Sequence, residues 1–208
     1  MGRRSDHSRE ELKELILDAA WKVIERKGYN GLTVRKIAEQ VNYAPGTIYN
    51  IFKSMDDLAL HINARTVDVL YKILSDPACN DSNKTPVQNM HAMAKKYVDF
   101  ARKYRPHWFM LFDPQISENR KSLAWYQEKI DRLFAPLEGL LESYFSAAQA
   151  KKRAVAARVL WASVHGVCLL EETGKIPVGS HDGRTPDMIE YLIDTFIKGV
   201  EQNKQIKK

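Results

Sequence analysis

Apolar residues recur every three or four positions along most of this chain, and that period predicts α-helices. The stretch from Thr33 to Lys53 shows the pattern most clearly. In its second half, Ile48 and Phe52 lie four residues apart and share one helical face. In its first half, the apolar side chains that share a stripe are Val34, Ile37, Ala38 and Val41. The sequence therefore predicts two short helices joined by a tight turn.

The residues between these stripes are those that start and stop helices. Thr33 can cap the first helix, Asn42 tolerates the left-handed conformation of a turn, and Pro45 suits the first position of the second helix. Such a pair is typical of a helix-turn-helix, whose second helix enters the major groove of DNA. The other face of that helix is uncharged and small or hydrogen-bonding: Pro45, Gly46, Thr47, Tyr49 and Asn50.

The same period predicts about nine helices in total and no strands. A capping box at Ser8 and Glu11 starts the first helix, which ends at Lys27 before Gly28. Beyond the helix-turn-helix, the predicted helices are 54–75, 85–104, 106–112, 118–145 with a kink at Pro136, 151–173 and 186–202. We therefore expect an all-α protein. Its predicted domains are a three-helix DNA-binding domain at 1–53 and a larger helical effector-binding and dimerisation domain at 54–208.

The helix-turn-helix also resembles that of a known family. The matching residues are Thr33, Ile37, Ala38, Gly46, Thr47, Ile48, Tyr49, Phe52, Lys53, Ser54 and Leu58. Together they are similar to the DNA-binding motif of the TetR-type transcriptional repressors. The chain departs from the usual motif at Asn42, Ala44 and Ile51. Farther along, Trp161, His165 and Gly166 resemble the Trp…His-Gly motif of one C-terminal class in the same family.

The motif gives most of the candidate DNA-binding residues an expected role. Thr33, Arg35, Tyr49 and Lys53 are expected to contact phosphates, which fixes the register on the duplex. Residues at the start of the second helix are expected to approach bases, and Asn50 could pair with adenine. The full set of candidates is Thr33, Arg35, Tyr43, Ala44, Pro45, Gly46, Thr47, Tyr49, Asn50 and Lys53.

The family resemblance implies a small-molecule effector pocket in the larger domain. Aromatic and methionine side chains would suit a largely apolar or aromatic effector. The candidates are Met90, Met93, Tyr97, Phe100, Trp108, Phe109, Phe112, Trp125, Tyr126, Trp161, His165 and Cys168. The alternative for each of them is ordinary core packing, and His165 in particular is the kind of histidine that a core satisfies by hydrogen bonding.

The helix at 151–173 is apolar nearly all round, which is typical of a helix that is buried on two sides. Paired across a two-fold axis with the final helix, it would form a four-helix interface. We therefore expect a homodimer, which a reader with one recognition helix needs for selective binding. The candidate interface residues are Leu160, Val164, Val167, Ile189, Leu192, Ile193 and Phe196.

Composition limits the remaining possibilities. The 208 residues are 44% hydrophobic and 28% charged with a net charge of +6, which admits a nucleic-acid partner without requiring one. Cys79 and Cys168 form neither a disulfide framework nor a metal motif. No run of 18 apolar residues and no targeting segment is found, so the sequence predicts a cytoplasmic protein without a membrane partner. No cofactor or metal is expected.

Two other classes of protein compete with a DNA-binding regulator. An enzyme is disfavoured because the sequence contains no phosphate-binding glycine loop, metal-binding pattern or catalytic triad in context. The adjacent acids Glu171 and Glu172 point about 100° apart on a helix and cannot share a site. A helical adaptor that binds no DNA remains the other alternative. The expected partners are an operator in double-stranded DNA, a small-molecule effector and a second copy of the chain, and the regulator could repress or activate.

Overall fold

The computed structural model describes residues 7–113, 123–175 and 185–205. Within these ranges the chain forms nine α-helices and no strand, so the all-α prediction is confirmed. The helices are α1 Arg9–Lys27, α2 Val34–Val41, α3 Pro45–Ile51, α4 Met55–Leu74, α5 Pro86–Lys103, α6 Arg105–Met110, α7 Ala124–Leu140, α8 Ala150–Glu172 and α9 Thr185–Gln205.

The described residues group into two compact units. The first extends to Asp68 and also takes Tyr104–Lys129, while the second takes Val69–Lys103 and the chain from Ile130 onward. Helices α4 and α7 each contribute residues to both units. The predicted division at residues 53 and 54 is a division of function rather than of packing, and it stays a prediction.

The first unit begins with the helix starts and stops that the sequence predicts. The Ser8 hydroxyl accepts a bond from the Glu11 N–H at 3.3 Å, and the Glu11 carboxylate accepts one from the Ser8 N–H at 2.7 Å. At the other end of α1, Gly28 has φ of +67°, a conformation that side chains disfavour. Thr33 caps α2 by accepting a bond from the Lys36 N–H at 3.3 Å.

The turn between α2 and α3 depends on one left-handed residue. Asn42 has φ of 56° and ψ of 42°, and it is the one non-glycine residue with positive φ in the described chain. The following N–H, that of Tyr43, then donates to the Ala38 carbonyl at 3.0 Å and closes the end of α2. Pro45 starts α3 directly afterwards, as the sequence predicts.

Helix α6 packs on α1 inside the first unit through an aromatic stack. The His107 ring lies parallel to that of Trp21, with centroids 3.8 Å apart. His107 Nε2 lies 3.2 Å from the Trp21 carbonyl oxygen; because a carbonyl only accepts, this nitrogen carries the proton. From α4, the Asn63 side-chain amide donates to the Met110 carbonyl at 3.4 Å. Burial lowers the pKa of His107, so its imidazole is neutral at pH 7.

The second unit is held together by apolar packing of α5, α8 and α9 and by polar contacts between their side chains. His91 Nε2 lies 3.0 Å from an Asp194 carboxylate oxygen, which links α5 to α9. Arg102 pairs with Glu171 at 2.7 Å and links α5 to α8. The segment Ala147–Glu172, which contains α8, is long and apolar enough to cross a membrane, as core helices of soluble proteins also are.

One predicted helix differs in its bounds. The sequence predicts a single helix over 118–145, whereas α7 begins at Ala124 and ends at Leu140, with Pro136 inside it. A separate 3₁₀ turn, Glu142–Tyr144, follows, and Ser146 then begins the approach to α8 with its own capping box. The start of the predicted helix, residues 118–122, lies outside the described residues.

The buried His107 makes the stability of this protein depend on pH. Its pKa lies below the ordinary value of 6.5 in the folded chain, so between these values the unfolded chain binds more protons. The free energy of unfolding should therefore fall as the pH drops below about 6.5, by up to ~1.4 kcal/mol per pH unit for one such histidine. Burial lowers the pKa of His165 as well, which adds a contribution of the same sign.

The variant His107→Phe keeps a ring against Trp21 but cannot titrate, so we expect a shallower decline of stability. Urea unfolding at pH 5, 6 and 7, followed by circular dichroism, measures this slope. His7→Ala is the control, because His7 is exposed and its replacement should leave the slope unchanged. An identical slope for His107→Phe and the original chain would contradict the prediction.

Candidate functional site

The outward face of α3 is the first candidate site. Ile48, at 1% exposure, anchors the helix to the core formed by α1, α2 and the start of α4. This anchor leaves the opposite face open, and Tyr49 is 53% exposed although it is a large aromatic residue. Pro45, Gly46 and Asn50 are exposed as well. The face carries no charge, so it can approach bases without a fixed ion in the way.

Polar residues at the ends of the neighbouring helices surround this face. Arg35 on α2 and Lys53 after α3 are both exposed cations. The backbone of Lys53 is fixed because its N–H donates to the Asp57 carboxylate at 2.9 Å, and the Asp57 N–H donates to the Ser54 hydroxyl at 3.1 Å. A fixed backbone beside a free cationic side chain is a suitable arrangement for a phosphate contact.

Sequence reasoning missed one member of this surface. His7 Nδ1 lies 2.9 Å from the hydroxyl of Tyr43, which is two residues before the start of α3. The ring of Tyr43 packs on the core of the unit, so its hydroxyl stands at the surface beside the candidate DNA-binding face. No local sequence signal indicates this contact, because it joins residues 36 positions apart. All ten candidate DNA-binding residues belong to the first unit.

The second candidate site is a cavity of about 50 Å³ inside the second unit. Four of the twelve predicted effector-pocket residues line it: Met90, Met93, Tyr97 and Trp161. The lining residues that sequence reasoning missed are Leu74, Ala94, Leu133, Phe134, Leu137, Leu160, Val164 and Ile193. They are ordinary core residues by composition, and only the fold brings them together.

A hydrogen-bonded pair stands beside this cavity. The Tyr97 hydroxyl and His165 Nδ1 are 2.7 Å apart, and the imidazole lies parallel to the Trp161 indole at a centroid distance of 5.2 Å. Burial lowers the pKa of His165, so the ring is neutral at pH 7. His165 therefore orients Tyr97 and Trp161, in agreement with a hydrogen-bonded core histidine.

The other predicted pocket residues lie elsewhere. Five of them belong to the first unit and not to the cavity: Trp108, Phe109, Phe112, Trp125 and Tyr126. Trp108 is fully buried there as a core residue. Phe100 and Cys168 are buried in the second unit without lining the cavity, and burial raises the pKa of the Cys168 thiol to about 12.

The predicted dimer surface stays a prediction, and its candidates differ in exposure. Four of the seven are buried within their own unit: Leu160, Val164, Ile189 and Ile193. The other three, Val167, Leu192 and Phe196, are half-buried. The apolar side chains that do face outward are Val155, Val159, Leu170 and Tyr191, which we call the exposed apolar face. On α8, the buried and exposed stripes lie on opposite sides of the helix.

Comparisons with known proteins match both the N-terminal and the C-terminal part of the chain. Residues 16–62 match the family model described as bacterial regulatory proteins of the tetR family, and residues 90–196 match that of the tetracyclin repressor-like C-terminal domain. An uncharacterized HTH-type transcriptional regulator of Mycobacterium tuberculosis, Rv0681, is 24% identical over 188 residues, which cover 86% of this chain and 79% of that protein.

Solved structures with the same fold support the match. A protein with unknown function from Rhodococcus sp. RHA1 is 18% identical with a TM-score of 0.72, over 95% of this chain and 98% of that one. The multidrug binding protein EbrR, solved in complex with imidazole, is also 18% identical, with a TM-score of 0.60 over 93% and 95% of the two chains. At these identities the likeness shows the fold alone.

Proposed function

Because this chain belongs to the TetR family of bacterial transcriptional regulators, we propose that it represses transcription from a palindromic operator as a homodimer. A small, largely apolar or aromatic effector then releases the DNA. The family consists of regulators and not of enzymes, which confirms the non-enzymatic prediction. The protein works in the cytoplasm, where its operator is.

The uncharged, exposed face of α3 is the observation that supports DNA reading most directly. Gly46 stands at its start, and a Cβ added there would meet no atom of the protein within 4 Å. The backbone at this point is therefore open to solvent, and a base pair or phosphate can come close to it. Lys53 and Arg35 supply charge at the margins, where phosphates would lie.

If two chains pair through the exposed apolar face, the dimer carries two copies of α3, the proposed recognition helix. Val155 and Val159 are 61% and 48% exposed, and Tyr191 on α9 is 76% exposed. Only 22% of the most apolar window of the α8 segment is buried within one chain, so much of its apolar surface remains to be covered. Dimerisation covers that surface and places two half-sites about a helical turn apart, roughly 34 Å.

The cavity of the second unit is the proposed effector site. Its volume of about 50 Å³ is too small for most ligands in the conformation described, since ligand sites typically measure roughly 300–1,000 Å³. An effector therefore binds a state in which the lining side chains have moved, and it stabilises that state relative to the closed one. EbrR, with the same fold, is described as a multidrug binding protein, which fits a ligand site in such a domain.

Gly46→Ala tests the DNA surface without disturbing the fold. The added methyl group meets open space and Gly46 lies in helical backbone, so thermal stability should be unchanged. When DNA is bound, the same methyl group would occupy space that a base pair or phosphate needs beside the Gly46 backbone. We therefore expect affinity for the operator to fall at least tenfold. Fluorescence anisotropy at physiological salt measures the loss.

Gly139→Ala is the matched control, because its added Cβ also meets nothing within 4 Å and it belongs to the second unit, on α7. Its operator affinity should equal that of the original chain. Equal affinities for all three proteins would mean that DNA does not approach Gly46. A chain that binds no DNA at low salt would favour the adaptor alternative.

The two kinds of predicted DNA contact differ in their dependence on salt and sequence. Lys53→Ala should weaken binding to operator and random DNA alike and lower the salt slope by about one unit, since one phosphate contact is lost. Asn50→Ala should instead relax specificity at one base pair and leave the slope unchanged. Anisotropy titrations at several salt concentrations separate these effects, and equal behaviour of the two variants would refute the assignment.

Val159→Lys tests the exposed apolar face. The side chain already points outward, so the fold should persist by circular dichroism, whereas a lysine in the centre of an apolar interface would be desolvated. We expect the original chain to be a dimer at micromolar concentration by light scattering and the variant to be largely monomeric. Ala135→Lys on the exposed side of α7 is the control and should stay dimeric. A dimeric Val159→Lys would remove this face from the interface.

A further inference from the structure

The first unit contains a cleft of about 520 Å³ between α1, α4 and the start of α7. Small-molecule sites typically measure roughly 300–1,000 Å³, so the cleft has room for a ligand in the conformation described. Leu17 on α1 and Ala64 on α4 give it apolar surface, and both are 5% exposed. Trp125, which the sequence predicts as an effector-pocket residue, lines this cleft and not the cavity of the second unit.

Both acidic side chains that line the cleft are paired with cations. Arg65 lies 3.2 Å from a Glu14 carboxylate oxygen and 2.6 Å from one of Asp18. Lys129 donates to the Asp68 carboxylate at 2.6 Å. Because each carboxylate already has a cation beside it, a negatively charged ligand in the cleft meets no isolated negative charge.

The charge that remains in the cleft is positive. Lys13 is half-buried, and among the described lining residues it is the one cation that has no acidic partner. Basic side chains in the lining outnumber acidic ones by three to two. The lining also includes the indole N–H of Trp125, which can only donate. These donors favour a ligand with an anionic group, since hydrogen bonds from cations to anions are the strong ones.

Two aromatic rings stand side by side in the cleft. The rings of His61 and Trp125 have centroids 5.1 Å apart, with 33° between their planes. Trp125 is 36% exposed although it is a large aromatic residue. Its indole therefore offers surface on which a flat ring can stack. A planar aromatic ligand with one anionic group fits both the rings and the charge of the cleft.

The cleft also adjoins the contacts that position Lys53, a proposed phosphate contact. The His61 ring stands edge-on to that of Phe52, the anchor at the end of α3, at a centroid distance of 5.3 Å. His61 Nδ1 lies 2.9 Å from the Asp57 carbonyl oxygen; because a carbonyl only accepts, this nitrogen donates. The Asp57 carboxylate in turn accepts a bond from the Lys53 N–H at 2.9 Å. A ligand beside His61 therefore lies next to the residues that fix Lys53.

We propose that this cleft is a second ligand site, which binds a small aromatic anion and weakens binding to DNA. A negative charge bound in the unit that carries α3 repels the phosphates of the duplex and so lowers the affinity. This site is distinct from the proposed effector cavity, because all of its lining residues belong to the first unit. The effect on DNA rests on the proposed function, whereas binding of the anion does not.

Calorimetry with the full chain at pH 7, without DNA, tests the ligand class. The probes are the aromatic anion 2-naphthoate and a cation of similar size, N-methylquinolinium. We expect 2-naphthoate to bind at least threefold more tightly, because the cleft holds an unpaired cation and no unpaired acid. Equal or tighter binding of the cation, or no binding of 2-naphthoate at 1 mM, would overturn the proposal.

Two variants locate the binding site. Lys13→Gln removes the unpaired cation, and the affinity for 2-naphthoate should fall about threefold, as is typical of a partly exposed ion pair. Trp125→Leu keeps an apolar side chain but removes the ring, and the affinity should fall about fivefold. Lys22→Gln is the matched control, because Lys22 is exposed on the same helix as Lys13 and does not line the cleft. Unchanged affinity in either cleft variant would place the probe elsewhere and overturn the proposal.

Fluorescence anisotropy with operator DNA tests the effect on DNA binding. We expect saturating 2-naphthoate to lower the operator affinity at least threefold. The concentration needed for half of this loss should be about fivefold higher for Trp125→Leu. Binding of the probe without any loss of operator affinity would overturn the effect on DNA. A chain that binds no DNA even without the probe would contradict the proposed function, and calorimetry decides the ligand site independently.

Discussion

The burial of two side chains on α3 is the constraint on which the proposed DNA-binding surface depends. A helix of seven residues is not stable by itself in water, because too few hydrogen bonds offset the entropy of starting it. Ile48 within α3 and Phe52 at its end, each 1% exposed, tie it to the core of the first unit. Since they lie four residues apart, they fix the rotation of the helix about its axis. That rotation decides that Gly46, Tyr49 and Asn50 face solvent.

Helix α8 differs from α3, because much of its apolar surface is left exposed within one chain. It turns Leu160 and Val164 inward to the cavity and Val159 outward to the exposed apolar face. Trp161 lies at the margin of the buried stripe and is half-buried. A single helix thus serves the proposed effector site on one side and the proposed dimer contact on the other. Trp161 at the cavity and Val159 at the proposed dimer surface are only two residues apart on this helix.

Local signals in the sequence predicted the helices well because each depends on neighbouring residues. The capping box at Ser8, the Thr33 cap, the left-handed Asn42 and the start at Pro45 all occur as predicted. The sequence did not show which side of α8 carries Leu160 and Val164 into the core of its own chain, because a helix that is apolar nearly all round has no single stripe to identify. The sequence also did not show that the aromatic segment at 106–112 packs on α1, since the stack of His107 on Trp21 joins residues 86 positions apart in sequence. Such pairs follow from tertiary packing, which periodicity does not encode.

The small volume of the cavity has a consequence for regulation. A ligand that needs more than about 50 Å³ cannot bind while the cavity has this volume, so it binds only a conformation in which the lining side chains have moved. The walls that must yield include Leu74 of α4 and Leu133 and Leu137 of α7. Both helices also contribute residues to the first unit, so the chain that lines the proposed effector site continues into the unit that carries α3. Allosteric couplings are typically ~1–3 kcal/mol, which equals the burial of only a few methylene groups. For the proposed effector, a modest repacking of these leucines therefore involves free energies of the size that such a coupling requires.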